Sequence, residues 1–160
     1  MGCKDKSKPN EDKTFIIKHQ LFFSGKHPKW AGSGVAFINP QENTNEKTYG
    51  RMYLITFDQF LDVVRQENGL SMDTPITLSL DRLKNTKSIN LFPDNLYGLL
   101  LCLGYEKGYP ILSFTCHDIN KMKPFTSAFG GYFDVIAQGL KESWHLTDND
   151  IQKYMEEHFA

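Results

Sequence analysis

Glu67 is the residue whose type and position point most directly to chemistry. It lies at the end of the stretch from Thr56 to Gly69. Phe57, Phe60, Leu61, Val63 and Val64 fall on one side of a helix at about 100° per residue, with Asp58, Asp62, Arg65 and Gln66 on the other. Glu67 falls inside the apolar arc, near Val63, Val64 and Phe60. A carboxylate facing a core is costly unless paired, hydrogen-bonded or neutral. Such desolvation raises its pKa toward the range of a general acid or base. The alternative is that Glu67, in the last turn before Asn68-Gly69, simply reaches out to solvent.

Other reactive residues point to less. Cys116 and His117 are adjacent, so on a strand they face opposite ways and cannot pair. Gly32-Ser33-Gly34 lacks the glycine spacing of a nucleophile elbow and reads as a bulge or sharp bend after Trp30. The five histidines, His19, His27, His117, His145 and His158, are scattered. They form no HExxH or similar zinc pattern. There is no phosphate-binding loop and no dinucleotide fingerprint.

The elements that must position these residues follow from pattern. Thr56 with Gln59 forms a capping box that starts the helix. Strands are expected at Phe15–Phe23, Val35–Ile38, Tyr49–Ile55 and Tyr109–Cys116. The apolar run Leu96–Leu103 reads as a buried strand or a buried helix, and its flanking turn signals favour a strand. Ile76–Leu80 is a further strand candidate, and Asp81–Asn90 reads as polar and mobile. Helices are expected over Tyr132–Ser143 and from Thr147 onward, the latter with Asp150 as capping partner. Residues 1–13 read as a loop or tail. The order implies an α+β fold with a mostly antiparallel sheet or small β-barrel, in a single domain of residues 1–160.

Composition sets the remaining bounds. The 160 residues are 40% hydrophobic and 23% charged, with a formal net charge of −1. That balance offers no general attraction for nucleic acid or an anionic membrane. Three dispersed cysteines, Cys3, Cys102 and Cys116, make no disulfide framework and suit a reducing cytoplasm. No apolar run approaches the length of a membrane helix.

Several short pieces together resemble γ-glutamylcyclotransferase-like proteins, in particular uncharacterised bacterial members. They are Trp30 with Gly34 to Phe37, Gly50 to Thr56, Gln59-Phe60, Gln66-Glu67, Tyr97-Gly98 and Tyr132 to Glu142. The resemblance implies a small β-barrel flanked by helices. It also implies cyclisation of a γ-glutamyl amine to 5-oxoproline, with release of an amine or amino acid. Glu67 would be the acid/base of that reaction, and neither metal nor organic cofactor would be required. The alternative is a catalytically silent barrel that binds a small molecule or another protein. Gly32 and Gly34 are then either pocket backbone or barrel bends. Tyr53 either points into the barrel beside Glu67 or fills the core. Arg51, on the same strand face, pairs either a substrate carboxylate or an exposed acid. The family's opening strand and Tyr-Gly-Ser-Asn loop are not found in this chain. The resulting open edge is one that a second copy could fill, so a homodimer is a further expectation.

Overall fold

The computed structural model describes residues 2–160; Met1, at the start of the expected tail, lies outside the described residues. Among the described residues eight strands and four α-helices follow in the order β1 (Asp12–Ile17), β2 (Leu21–Ser24), β3 (Val35–Ile38), β4 (Thr48–Tyr53), α1 (Phe57–Glu67), α2 (Leu80–Thr86), β5 (Ser88–Asn90), β6 (Leu99–Glu106), β7 (Tyr109–Thr115), β8 (Phe125–Thr126), α3 (Gly130–Trp144) and α4 (Asp148–Glu157). The fold class is α+β, as the alternation of strand and helix patterns implies. The strands form three small antiparallel sheets, ordered β1-β4, β3-β2-β8 and β5-β6-β7. The expected small barrel is therefore corrected: among the described residues no sheet closes on itself.

The chain divides into two compact units. One is Met52–His117 together with the chain up to Asp12; the other is Lys13–Arg51 together with Asp118–Ala160. The first unit is built on α1. Its Thr56 hydroxyl accepts the Gln59 N–H at 3.1 Å, and the Gln59 side-chain oxygen accepts the Thr56 N–H at 3.0 Å. The apolar stripe of α1 buries Phe60, Leu61 and Val64 against Leu83 and Leu100, with Leu112 and Phe114 packed around them. Leu83 and Leu100 come from α2 and β6. The β6–β7 hairpin turns at Lys107 and Gly108, both at positive φ (49° and 81°), as a two-residue turn between twisted strands requires. A bulge between Cys102 and Gly104 shifts the register there.

In the second unit, β2 pairs with β3 on one side and β8 on the other. Phe23, Leu140, Ile151, Tyr154 and Met155 form its core, with Tyr49, Trp144 and Phe159 packed against them. The Thr147–Asp150 capping box starts α4 as expected.

Three local expectations change. Phe15–Phe23 is two strands, not one, because the chain breaks at Lys18–Gln20. His19 is buried in that break. One of its ring nitrogens, Nδ1, lies 2.7 Å from the Asn39 carbonyl, and its own carbonyl accepts the Thr48 hydroxyl at 2.6 Å. Ile76–Leu80 forms no strand. The polar stretch after it holds α2, whose single buried residue is Leu83, and then β5. One fully buried leucine and a serine cap, Ser79, suffice to hold a two-turn helix that has no apolar stripe to announce it.

Candidate functional site

Glu67 ends α1 and is exposed. Although its angular position lies near Phe60, the last turn carries it beyond the leucines and phenylalanines that cover the earlier turns. Tyr53 is 50% exposed at the end of β4, and Arg51 is also exposed. Glu67 and Tyr53 belong to the first unit, whereas Arg51, Gly32 and Gly34 belong to the second.

The two glycines sit in one loop. Pro28–Trp30 forms a single 3-10 turn, closed by Ala31 at φ 53° and Gly32 at φ 86°. His27 donates its N–H to the Ser33 carbonyl at 2.9 Å and accepts from Gly32 at 3.0 Å. Gly32 supplies the left-handed backbone this closure needs. Gly34 meets a different demand: a Cβ there would fall on the Thr126 hydroxyl and lie 3.1 Å from the Ser127 carbonyl. Ser33 is fully buried. Its hydroxyl donates to the Gly34 carbonyl at 3.0 Å and accepts the Phe129 N–H at 3.0 Å, which fixes the entry to α3. Tyr132, in the first turn of α3, reaches back and accepts the Ala36 N–H at 2.9 Å on the outer side of β3. The loop is thus a splice between an edge strand and a helix start.

The buried carboxylate of α1 is Asp62, which helical periodicity assigns to the wet side. It is 5% exposed. One oxygen accepts the Arg65 guanidinium at 2.8 Å, and the other accepts the Lys4 main-chain N–H at 2.8 Å. Arg65 is itself held by the Thr74 carbonyl at 2.8 Å. Gln59, also 5% exposed, directs its amide nitrogen at the Ser7 carbonyl (3.1 Å), the Ser7 hydroxyl (3.2 Å) and the Asp5 carbonyl (3.4 Å). Beyond them the Lys4 ammonium meets Asp73 at 2.8 Å, and that contact holds the Asp73 carboxyl below the usual carboxylate range. The second buried face of α1 is therefore roofed by residues 3–7. Sequence reasoning missed it because the roof is a polar segment with no periodicity. The available signal was Gln59 and Asp62, three apart on a helix whose apolar stripe excludes both.

In the second unit Tyr49 is stacked between Trp144 (centroids 4.5 Å apart) and Tyr154 (4.7 Å). The Tyr154 hydroxyl accepts the Tyr49 N–H at 3.0 Å, and burial pushes that phenol up to about 12. Tyr49, Leu146, Asp150, Lys153, Tyr154 and Glu157 line a cleft of about 260 Å³ beside this stack. That lies just below the usual range for small-molecule pockets. Among the described residues no three His, Cys, Asp or Glu side chains gather into a group able to hold a metal ion. No helix among them is long and apolar enough to cross a membrane.

Comparison with known proteins changes the functional reading. Residues covering 98% of this chain are 34% identical, over 168 aligned positions, to a region of histone deacetylase 5 from Arabidopsis thaliana. The chain spans 26% of that relative's length. No protein-family profile matches the chain, and no solved structure matches it. The γ-glutamylcyclotransferase-like resemblance, its bacterial members included, is overturned by these findings. With it goes the cyclisation of a γ-glutamyl amine and the acid/base role it implied for Glu67. The pieces that suggested it were short strand and helix segments, whose apolar pattern many α+β folds share.

Proposed function

We propose that the chain is a protein-interaction module that works beside a histone deacetylase-type protein and docks through the tip of the β6–β7 hairpin. The observation that carries this reading is the match of nearly the whole chain to about a quarter of the plant relative. A unit found as one part of a longer protein has that protein's remainder as its nearest available partner. The surface offered to a partner supports the same reading. Tyr105 and Tyr109 flank the hairpin turn at 53% and 59% exposure, on opposite faces of the ribbon. Leu96, before β6, is 54% exposed. Tyrosines combine large apolar area with a polar tip and low side-chain entropy, and they are enriched among residues that dominate interfaces. At the turn the Lys107 ammonium meets Glu11 at 3.0 Å, an exposed ion pair. Three free cysteines support a reducing compartment such as the cytoplasm.

The test is direct association. This chain is titrated against the remainder of the plant relative, and separately against itself by sedimentation. The reading expects binding to the former, weakened at least about tenfold in Tyr105→Ala/Tyr109→Ala, as loss of an interface anchor does. Self-association alone would replace the reading with a homodimer. A folded chain that binds neither would overturn it.

A further inference from the structure

The formal net charge of −1 conceals a separation of charge within the second unit. From Gly130 to Ala160, the stretch that holds α3 and α4, there are six carboxylates and two lysines. The two loops that leave the β2–β8 pairing are the reverse. Residues 25–34 hold Lys26 and Lys29 and no acid, and residues 118–124 hold Lys121 and Lys123 against Asp118 alone. The backbone brings these loops together. β2 and β8 are last paired at Ser24 and Phe125, so Lys26 lies two residues beyond that pair on one chain and Lys123 two residues before it on the other. The Ser24 hydroxyl donates to the carbonyl of Met122, which stands between Lys121 and Lys123. The Thr126 hydroxyl donates to the Gly25 carbonyl at 3.3 Å.

Lys26, Lys29, Lys121 and Lys123 are all exposed. Among the described residues none of them meets a carboxylate, whereas Lys4, Lys84, Lys107 and Lys141 each do. Asp118 is turned to its own backbone and accepts the Asn120 N–H at 2.9 Å. A surface of one sign raises the local concentration of anions. Aromatic rings border it. The Lys29 ammonium lies 5.4 Å from the Trp30 ring. Phe129 is 50% exposed, and its N–H is held at 3.0 Å by the hydroxyl of Ser33, in the loop that carries Lys26 and Lys29.

Two features choose among polyanions. The surface has lysines and no arginine, so it offers point charges that meet phosphate oxygens from many directions and lacks the planar fork suited to carboxylates. The exposed ring of Phe129 gives a base a face to stack on, a contact that an acidic peptide has no base to use. We propose that Lys26, Lys29, Lys121, Lys123 and Phe129 form a binding surface for single-stranded nucleic acid, held through its phosphates and stacked on Phe129, with little preference for sequence. None of these residues belongs to the β6–β7 tip, so this surface is independent of the docking reading above.

The experiment titrates the full chain into a short labelled oligothymidylate by fluorescence anisotropy. Log affinity should fall with log salt at a slope of about −3, since each phosphate neutralised on a single strand contributes about 0.7. Lys26→Glu/Lys123→Glu should weaken binding at least about tenfold and flatten the slope, while Lys153→Glu on α4 changes neither. Phe129→Ala should weaken binding about fivefold or more, yet leave the affinity for an abasic strand of equal length unchanged. Tyr105→Ala/Tyr109→Ala should bind the oligonucleotide as the parent does, which separates this surface from the tip. Circular dichroism checks that each variant is folded. Absence of binding at about 50 mM salt overturns the proposal, as does equal binding by the folded charge-reversed variant. Polyglutamate of matched length that binds as tightly as the oligonucleotide would replace the proposed ligand with an acidic polypeptide.

Discussion

The two units bury polar groups by different means. The first buries a charge: Asp62 sits beneath the surface with Arg65, and its second oxygen depends on a main-chain donor from 58 residues away. The second buries neutral hydroxyls: Ser33 and Tyr154 each accept a main-chain N–H, and the half-buried Tyr132 does the same. A buried ion pair tolerates little, because removal of one partner strands the other. A buried hydroxyl is cheaper to lose, because what remains is one unpaired N–H and no charge. The first unit is therefore the more brittle at single positions.

Substitutions can break or sharpen that contrast. The largest effect is expected for Asp62→Ala, which leaves the 15%-exposed Arg65 side chain without its carboxylate. It should cost about 3–5 kcal/mol in urea unfolding. A cost near that of a surface change would show that the charge is not needed. Gly34→Ala comes next, at about 1–3 kcal/mol, from the crowding of its Cβ against Thr126 and Ser127. Tyr154→Phe keeps the stack on Tyr49 but removes the acceptor for its N–H, and about 1–2 kcal/mol should be lost. The smallest is Glu67→Ala, expected within about 0.5 kcal/mol of the parent because the side chain is exposed.

A pH series separates the units by another route. Burial raises the Tyr154 phenol to about 12, above its ordinary value of about 10. The folded state thus holds that proton where the unfolded chain releases it. The contribution is fully present below pH ~10 and is lost as the pH rises toward about 12. Stability measured across this window should fall in the parent, and part of that slope should disappear in Tyr154→Phe.

Much of the local structure was legible in the sequence, and the reason lies in short-range signals. Both capping boxes, Thr56 with Gln59 and Thr147 with Asp150, are set by residues three apart. The β6–β7 hairpin is announced by apolar runs on either side of Gly104 to Gly108. What could not be read was anything decided by distant partners. Asp62 is buried because residues 4–7 arrive from far along the chain, and nothing in a polar segment says where it will lie. Glu67 shows the converse: its angle on the helix is apolar, but the packing neighbours end before it does. α2 was missed because only Leu83 faces inward, and a single residue has no period. The barrel and the cyclotransferase chemistry came from resemblance, and the chain's sheets and its plant relative point elsewhere.

The stack of Tyr49 on Trp144 has an optical consequence. The chain has two tryptophans, Trp30 and Trp144, and both belong to the second unit. Trp144 has its indole N–H on the Gly50 carbonyl at 3.2 Å and its ring face against Tyr49. Trp30 lies edge-on to Tyr132, with the Lys29 ammonium 5.4 Å from its ring. Intrinsic indole emission thus originates in one unit. The α1 core lies in the part of the chain that carries no indole, and its loss is read from the far-ultraviolet dichroism of the helix instead.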